Sequence, residues 1–357
     1  MSLSIGIVGL ANVGKSTLFN ALTDANALIA NYPFATIEPN TGVVPVPDER
    51  LPKLAEIYKT EKIVPATVTF VDIAGLVEGA SKGEGLGNQF LAHIRGTNAI
   101  CHVVRAFEDA NVTRSGSTDP KRDIEIINTE LALADLQTVD NRLPRLEKET
   151  KADPKLKPLY DTLLKVKNLL EAGTPVHQAP DIEQEHIADL FLLTAKPVIY
   201  VFNLDEESLQ GGSLQKQMEE LVKPARALFI CAKLESELRG LDEADRDELL
   251  GSYGQKESGL VQLIHAAYET LGLQSFLTAG EKEVRAWTIT QGMTAREAAG
   301  VIHTDFARGF IAAQVVDYYD LIEAGSLVVA RSAGKVRTEG RDYIMQPDDV
   351  IEFRFNV

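Results

Sequence analysis

The chain has 357 residues, with 36 basic against 52 acidic side chains for a formal charge of −16, and is 45% hydrophobic and 25% charged; this is the balance of a folded protein of two or three domains, not of a disordered one. Only two cysteines occur, Cys101 and Cys231, which excludes a disulfide framework or a four-thiolate zinc site and fits a reducing, cytoplasmic setting. The negative field opposes binding to DNA or to nucleic acid at large, no apolar run nears the ~20 residues of a membrane span, no secretory leader opens the chain, and a monomer is the expected state.

In chain order, β-branched apolar runs that end in turn or polar residues recur at 4–9, 67–72, 99–105, 197–203 and 227–233. Such runs suit parallel strands covered by helices on both faces, so the expected fold class is α/β with a doubly wound, mainly parallel sheet and its chemistry at the strands' carboxyl ends. The glycine-rich stretch 78–89 reads as a mobile loop. Between the third and fourth runs, residues 119–195 are rich in helix formers, and Leu156, Leu159, Leu163, Val166 and Leu170 keep a helical spacing that ends near Gly173. Antiparallel helices inserted into the sheet domain follow, either as an enlarged crossover or as a protruding arm. Past residues 271–280 the pattern alternates: Ile351, Phe353, Phe355 and Val357 share one face, and Glu352, Arg354 and Asn356 the other. Thr294 with Glu297 makes a capping box for a helix carrying Ala298, Val301, Ile302 and Phe306, so a small α+β domain is expected at this end.

The run Gly9-Leu10-Ala11-Asn12-Val13-Gly14-Lys15-Ser16 has P-loop spacing between a strand and a helix that starts near Lys15. Its glycines let backbone N–H groups converge on a polyphosphate at a helix N-terminus, where the dipole favours negative charge. Lys15 would reach the β and γ phosphates, and the Ser16 hydroxyl would bind magnesium. Asp72, at the end of the second apolar run in Asp72-Ile73-Ala74-Gly75, would hold the magnesium through water, with the Gly75 N–H turned toward the γ-phosphate. Thr36 lies where a switch loop supplies a threonine to magnesium, with Thr41 as its rival.

The fourth run ends in Asn203-Leu204-Asp205-Glu206, where guanine-nucleotide switches carry Asn-Lys-x-Asp. A short carboxylate accepts from guanine N1–H and the exocyclic amine. Here Leu204 replaces the lysine and is expected to lie on a purine face, and the longer Glu206 replaces the aspartate, so ATP is expected over GTP. Cys231, Ala232 and Lys233 end the next run, where such proteins place a base-contacting loop. Leu76 stands where a glutamine otherwise orients the attacking water, so either the catalytic group comes from elsewhere or turnover is slow until a partner arrives. The Asn12 side-chain oxygen suits a potassium ion beside the phosphates.

Together GLANVGKS, NYPFATIEPN, DIAGL, NLDE and the terminal KEVRAWTI and GRDYIMQPDDVIEFRFNV resemble the YchF branch of the Obg-like P-loop ATPases over essentially the whole chain. The resemblance implies an ATP-binding domain over 1–273 with an inserted helical arm near 119–195, and a TGS domain of β-grasp fold over 274–357. It implies ATP bound through Asn12, Val13, Gly14, Lys15, Ser16, Thr17, Asn203 and Leu204, magnesium through Ser16 and Thr36, and Phe107 close to the base. It also implies a ribosomal partner, with the large subunit and rRNA as the contact and translation control or stress response as the setting. Several bacterial relatives carry a histidine in the loop after that phenylalanine. Arg114 stands there in this chain; with a pKa above ~12 it cannot act as a general base, and it reads either as a group that stabilises transition-state charge or, the favoured reading, as a plain solvated loop residue. Two other readings stay open, an Obg-type GTPase and a ribosome-binding adaptor with a structural nucleotide.

The six histidines show no short metal-ligand spacing and read as structural or surface residues. Arg331, Lys335, Arg337 and Arg341, opposed only by Glu339, read equally as an rRNA-contacting patch or a solvated loop.

Overall fold

A computed structural model describes residues 3–24, 40–73, 86–106, 119–238 and 240–356. Strands among them are β1 Ser4–Val8, β2 Asn40–Pro45, β3 Ile63–Val64, β4 Thr67–Asp72, β5 Ala99–Arg105, β6 Val198–Asn203, β7 Arg226–Ile230, β8 Leu273–Ala279, β9 Val284–Thr290, β10 Phe310–Asp317, β11 Arg337–Glu339 and β12 Asp349–Phe355. The backbone forms two compact units, Met1–Val44 with Thr69–Leu263, and Pro45–Val68 with Ile264–Val357.

The first unit holds a six-stranded sheet in the order β2-β4-β1-β5-β6-β7. The pairings around β1, β5 and β6 are parallel, and Ile7 aligns with Asp72, Val8 with His102, Arg105 with Asn203, and Asn203 with Ile230. The carboxyl ends of these strands therefore share one edge, as an α/β sheet requires of its site. Helices α1 Lys15–Asp24, α2 Arg50–Tyr58, α3 Leu86–Arg95, α4 Pro120–Ala152 and α5 Lys157–Glu171 follow in the chain. On one face, α3 lays Phe90, Leu91 and Ile94, and α4 lays Ile127, Leu131 and Ala134, against Val8, Val71 and Ile100. Each of these buried Val, Leu, Ile and Phe side chains contributes about 1.5–3 kcal/mol, and the Ala134 methyl less. The start of α3 occupies the end of the stretch 78–89, so residues 86–89 are helical and not the loop expected there.

The inserted helices are present. α4 runs for 33 residues and starts at Asp119, whose side chain accepts from Lys121 N, with Pro120 in the first turn. Its first half covers the sheet. Its second half puts Val139, Leu143 and Leu146 against Leu163, Val166 and Leu170 of α5. Midway, the fully buried Asp135 carboxylate accepts from Leu193 N and Thr194 N, each at 2.8 Å, and from Thr194 Oγ1 at 2.7 Å. Three donors satisfy a charge that burial alone would make costly.

The second unit has a mixed sheet in the order β11-β10-β12-β8-β9-β3. β8 and β9 form an antiparallel hairpin, β10 and β12 pair antiparallel, and β12 lies parallel to β8. The helix Ala295–Ile302 covers this sheet, and its capping box between Thr294 and Glu297 is complete. Strand β3 adds parallel to β9, and α2 belongs here too, so residues 45–68 leave the first sheet to join the C-terminal unit. Arg50 secures that segment: its guanidinium donates to Asp48 at 2.7 Å, to Asp348 at 2.9 Å and to the Pro347 carbonyl at 2.6 Å. Among the described residues no helix is long and apolar enough to cross a membrane.

Candidate functional site

The turn between β1 and α1 needs a backbone that reverses within a few residues. Asn12 sits in the left-handed region at φ 61°, one of the few non-glycine types that tolerate it. Gly14 has φ 101°, and a Cβ there would lie 2.5 Å from Asn203 Nδ2, so only glycine fits. Val13 is buried, whereas Asn12, Ser16 and Thr17 are exposed around the start of α1, where the first backbone N–H groups lack intrahelical partners.

Lys15 folds back over this turn. Its side chain is buried, at 8% exposure, and Nζ donates to the Leu10 carbonyl at 2.6 Å. Burial lowers its pKa to about 8, against the opposing pull of the Asp72 charge. The half-buried Asp72 is raised in turn by burial, with Lys15 opposing. An ammonium so placed, with a carbonyl as its close partner, gains from an incoming polyanion.

Across the sheet edge, Asn203 is a clamp. Its Nδ2 donates to the Val13 carbonyl at 3.1 Å, and its Oδ1 accepts from Ala232 N at 3.1 Å. Leu204 departs from expectation. Its side chain is only 2% exposed and packs with Leu209, Cys231, Leu234, Leu238 and Leu250, while its N–H donates to the Ile230 carbonyl at 2.8 Å. The side chain is therefore core, not a free surface for a purine. Glu206 reaches Lys233, with Nζ to Oε1 at 2.8 Å. Asn203, Glu206, Ala232 and Lys233 thus converge at the ends of β6 and β7, as do Lys15 and Asp72 at the ends of β1 and β4. Thr36, Gly75, Leu76, Phe107 and Arg114 lie outside the described residues.

Cys231 is buried and its thiol is raised by burial, and burial pushes the Cys101 thiol up to about 12, so neither is a reactive thiolate. His102, beside Val8 on β5, is pushed down to about 3 by burial and by the Lys15 charge, and its ring lies 5.2 Å from that of Tyr200. It is a neutral core residue behind the turn. Among the described residues no group of three or more His, Cys, Asp or Glu could hold a metal.

In the second unit two members of the basic cluster meet acids. Lys335 pairs with Asp320 at 2.8 Å, Arg337 lies 3.6 Å from Glu339 and 3.7 Å from Asp349, and Arg331 donates to Gln314 at 3.1 Å. Spacing in the sequence shows Glu339 but not these more distant acids.

A family profile described as a 50S ribosome-binding GTPase matches residues 4–142, and the profile of the YchF-GTPase C-terminal region, described as a protein of unknown function, matches residues 273–356. The ribosome-binding ATPase YchF of Bacillus subtilis is 50% identical over 366 aligned residues, and that of Escherichia coli O157:H7 is 50% identical over 364, with 100% of each chain covered in both comparisons. The solved YchF GTPase of Schizosaccharomyces pombe superposes with a TM-score of 0.85 at 39% identity, covering 99% of this chain and 98% of that one. On full-length similarity of this degree, joined to a P-loop at the carboxyl edge of a parallel sheet, this chain belongs to the YchF family.

Proposed function

We propose that this chain is a ribosome-binding ATPase: it binds ATP in preference to GTP at the turn 9–16, hydrolyses it slowly, and uses the bound nucleotide to alter its contact with the ribosome. The observation that carries the nucleotide reading is Lys15, a buried ammonium held over a turn whose glycine and left-handed asparagine lead the backbone into the start of a helix. The names of the bacterial relatives support the ribosomal partner and the ATPase activity, and the 50S in the profile description supports the large subunit.

The residues present fit magnesium. This ion takes few protein ligands and keeps waters and phosphate oxygens; the exposed Ser16 hydroxyl would hold it directly and the half-buried Asp72 carboxylate would hold it through water. Thr36 would complete the set. Magnesium, when bound, would neutralise charge on the β and γ oxygens. Asn12 would add a potassium ligand at the same turn.

Calorimetric titration with ATP and with GTP tests the specificity; markedly tighter GTP binding overturns it. Steady-state turnover with and without 50S subunits tests the coupling. Unstimulated hydrolysis, with apo and ATP-bound protein binding 50S equally, would instead identify an adaptor.

A further inference from the structure

The loops that follow β6 and β7 are held as one body. Asn203 aligns with Ile230 in the parallel register, Leu204 N donates to the Ile230 carbonyl at 2.8 Å, and Ala232 N donates to Asn203 Oδ1 at 3.1 Å. On that frame Glu206, 30% exposed, points to Lys233, 73% exposed, and the ion pair closes at 2.8 Å. Glu237 is the next carboxylate to the same ammonium, at 3.9 Å. Glutamate carries one methylene more than aspartate and so reaches across the gap between the loops.

This pairing changes what the carboxylate can read. A free carboxylate has two oxygens and suits two adjacent donors, guanine N1–H and its exocyclic amine. With Oε1 held 2.8 Å from an ammonium, the pair would offer a base one acceptor, Oε2, beside a cationic donor. Adenine offers an amine donor next to the N1 acceptor, which such a pair can satisfy. Guanine would bring two donors to one acceptor and set N–H against a cation, and a recognition group left unpaired is the strongest device a pocket has for rejecting an analogue.

Resting on the proposed ATP site, we propose that Lys233 is a specificity-determining residue, which by holding Glu206 converts a guanine-selecting carboxylate into a donor and acceptor pair that selects adenine. Its charge is what acts, so Lys233→Arg should preserve the selection and Lys233→Met should lose it. The aliphatic stem of Lys233 is exposed, so neither change disturbs the core.

The test is calorimetric titration of the full chain, with magnesium present, using ATP and GTP in parallel on the wild type, Lys233→Met, Lys233→Arg and Lys233→Met with Glu206→Gln. Lys233→Met should lower the ratio of ATP to GTP affinity roughly tenfold, mainly by tightening GTP. Lys233→Arg should keep the ratio near that of the wild type, and adding Glu206→Gln to Lys233→Met should remove the gain for GTP. An unchanged ratio in Lys233→Met, or an equal loss for both nucleotides, overturns the assignment of Lys233 while leaving the ATP site standing. A wild type that binds neither nucleotide overturns both.

Discussion

Asn203 Nδ2 donates to the Val13 carbonyl at 3.1 Å, so the end of β6 grips the phosphate-binding turn directly. The other end of the same amide accepts from Ala232 N. A residue that would contact the base is thereby also a strut between two loops, and both of its backbone partners lie on buried residues.

Asn203→Ala should therefore weaken ATP binding and also destabilise the fold by about 1–3 kcal/mol, the cost of leaving buried backbone groups unpaired. Asn203→Asp separates the two arms, because a carboxylate still accepts from Ala232 N but cannot donate to the Val13 carbonyl. Urea unfolding and ATP titration of both variants measure this. If both variants kept wild-type stability and affinity, the strut would be without consequence.

Gly14→Ala places a methyl 2.5 Å from Asn203 Nδ2 at a φ of 101°. The expected outcome is a strain of about 1–3 kcal/mol and loss of ATP binding, with the α4 and α5 pairing intact by circular dichroism. Wild-type affinity in this variant would mean that the turn yields more readily than its geometry indicates.

Lys15 gives a pH dependence. Its folded pKa is lowered to about 8 from 10.5, so the free site holds a cation below pH 8 and loses it above. A bound triphosphate favours the cation, so ATP affinity should fall as pH rises through 8, and binding above pH 8 should take up a proton. Calorimetry in buffers of different ionisation enthalpy reads that uptake directly. Lys15→Met should show neither effect, together with much weaker binding.

Glu235 acts on stability. Its buried carboxylate accepts from Gly259 N at 2.6 Å, and burial raises its pKa to about 7 from 4.5. The folded state then binds more protons than the unfolded chain between those values. The contribution is fully present below pH 4.5 and is lost as pH rises through 7. Glu235→Gln keeps an acceptor for Gly259 N and carries no charge, so its melting temperature should exceed that of the wild type at pH 8 and converge with it near pH 5. An unchanged difference across that range would remove Glu235 as the titrating group.

What could be read from residues alone was local. The P-loop declares itself because a glycine at fixed spacing and a lysine at a helix start have few other uses, the Thr294 and Glu297 capping box closes over three residues, and the α5 stripe repeats with the helix period. What escaped was set by long-range packing. Leu204 has no neighbour in sequence that announces its burial in the cluster of Leu234 and Leu250. The transfer of residues 45–68 to the second unit depends on Arg50 meeting Asp348, 298 positions later. Lys233 and Glu206 are each ordinary in their own loop, and only the register of β6 with β7 brings them together.

The 33 residues of α4 span about 50 Å, at roughly 1.5 Å per residue. One half is clasped to the sheet and the other carries the arm, with Asp135 pinning the middle through three hydrogen bonds. Such a rod is a mechanical multiplier: a tilt of about 5° where it leaves the sheet would carry its far tip about 2 Å over half that length. Displacements too slight to break any contact around the phosphates would become steps large enough for a docked assembly to feel.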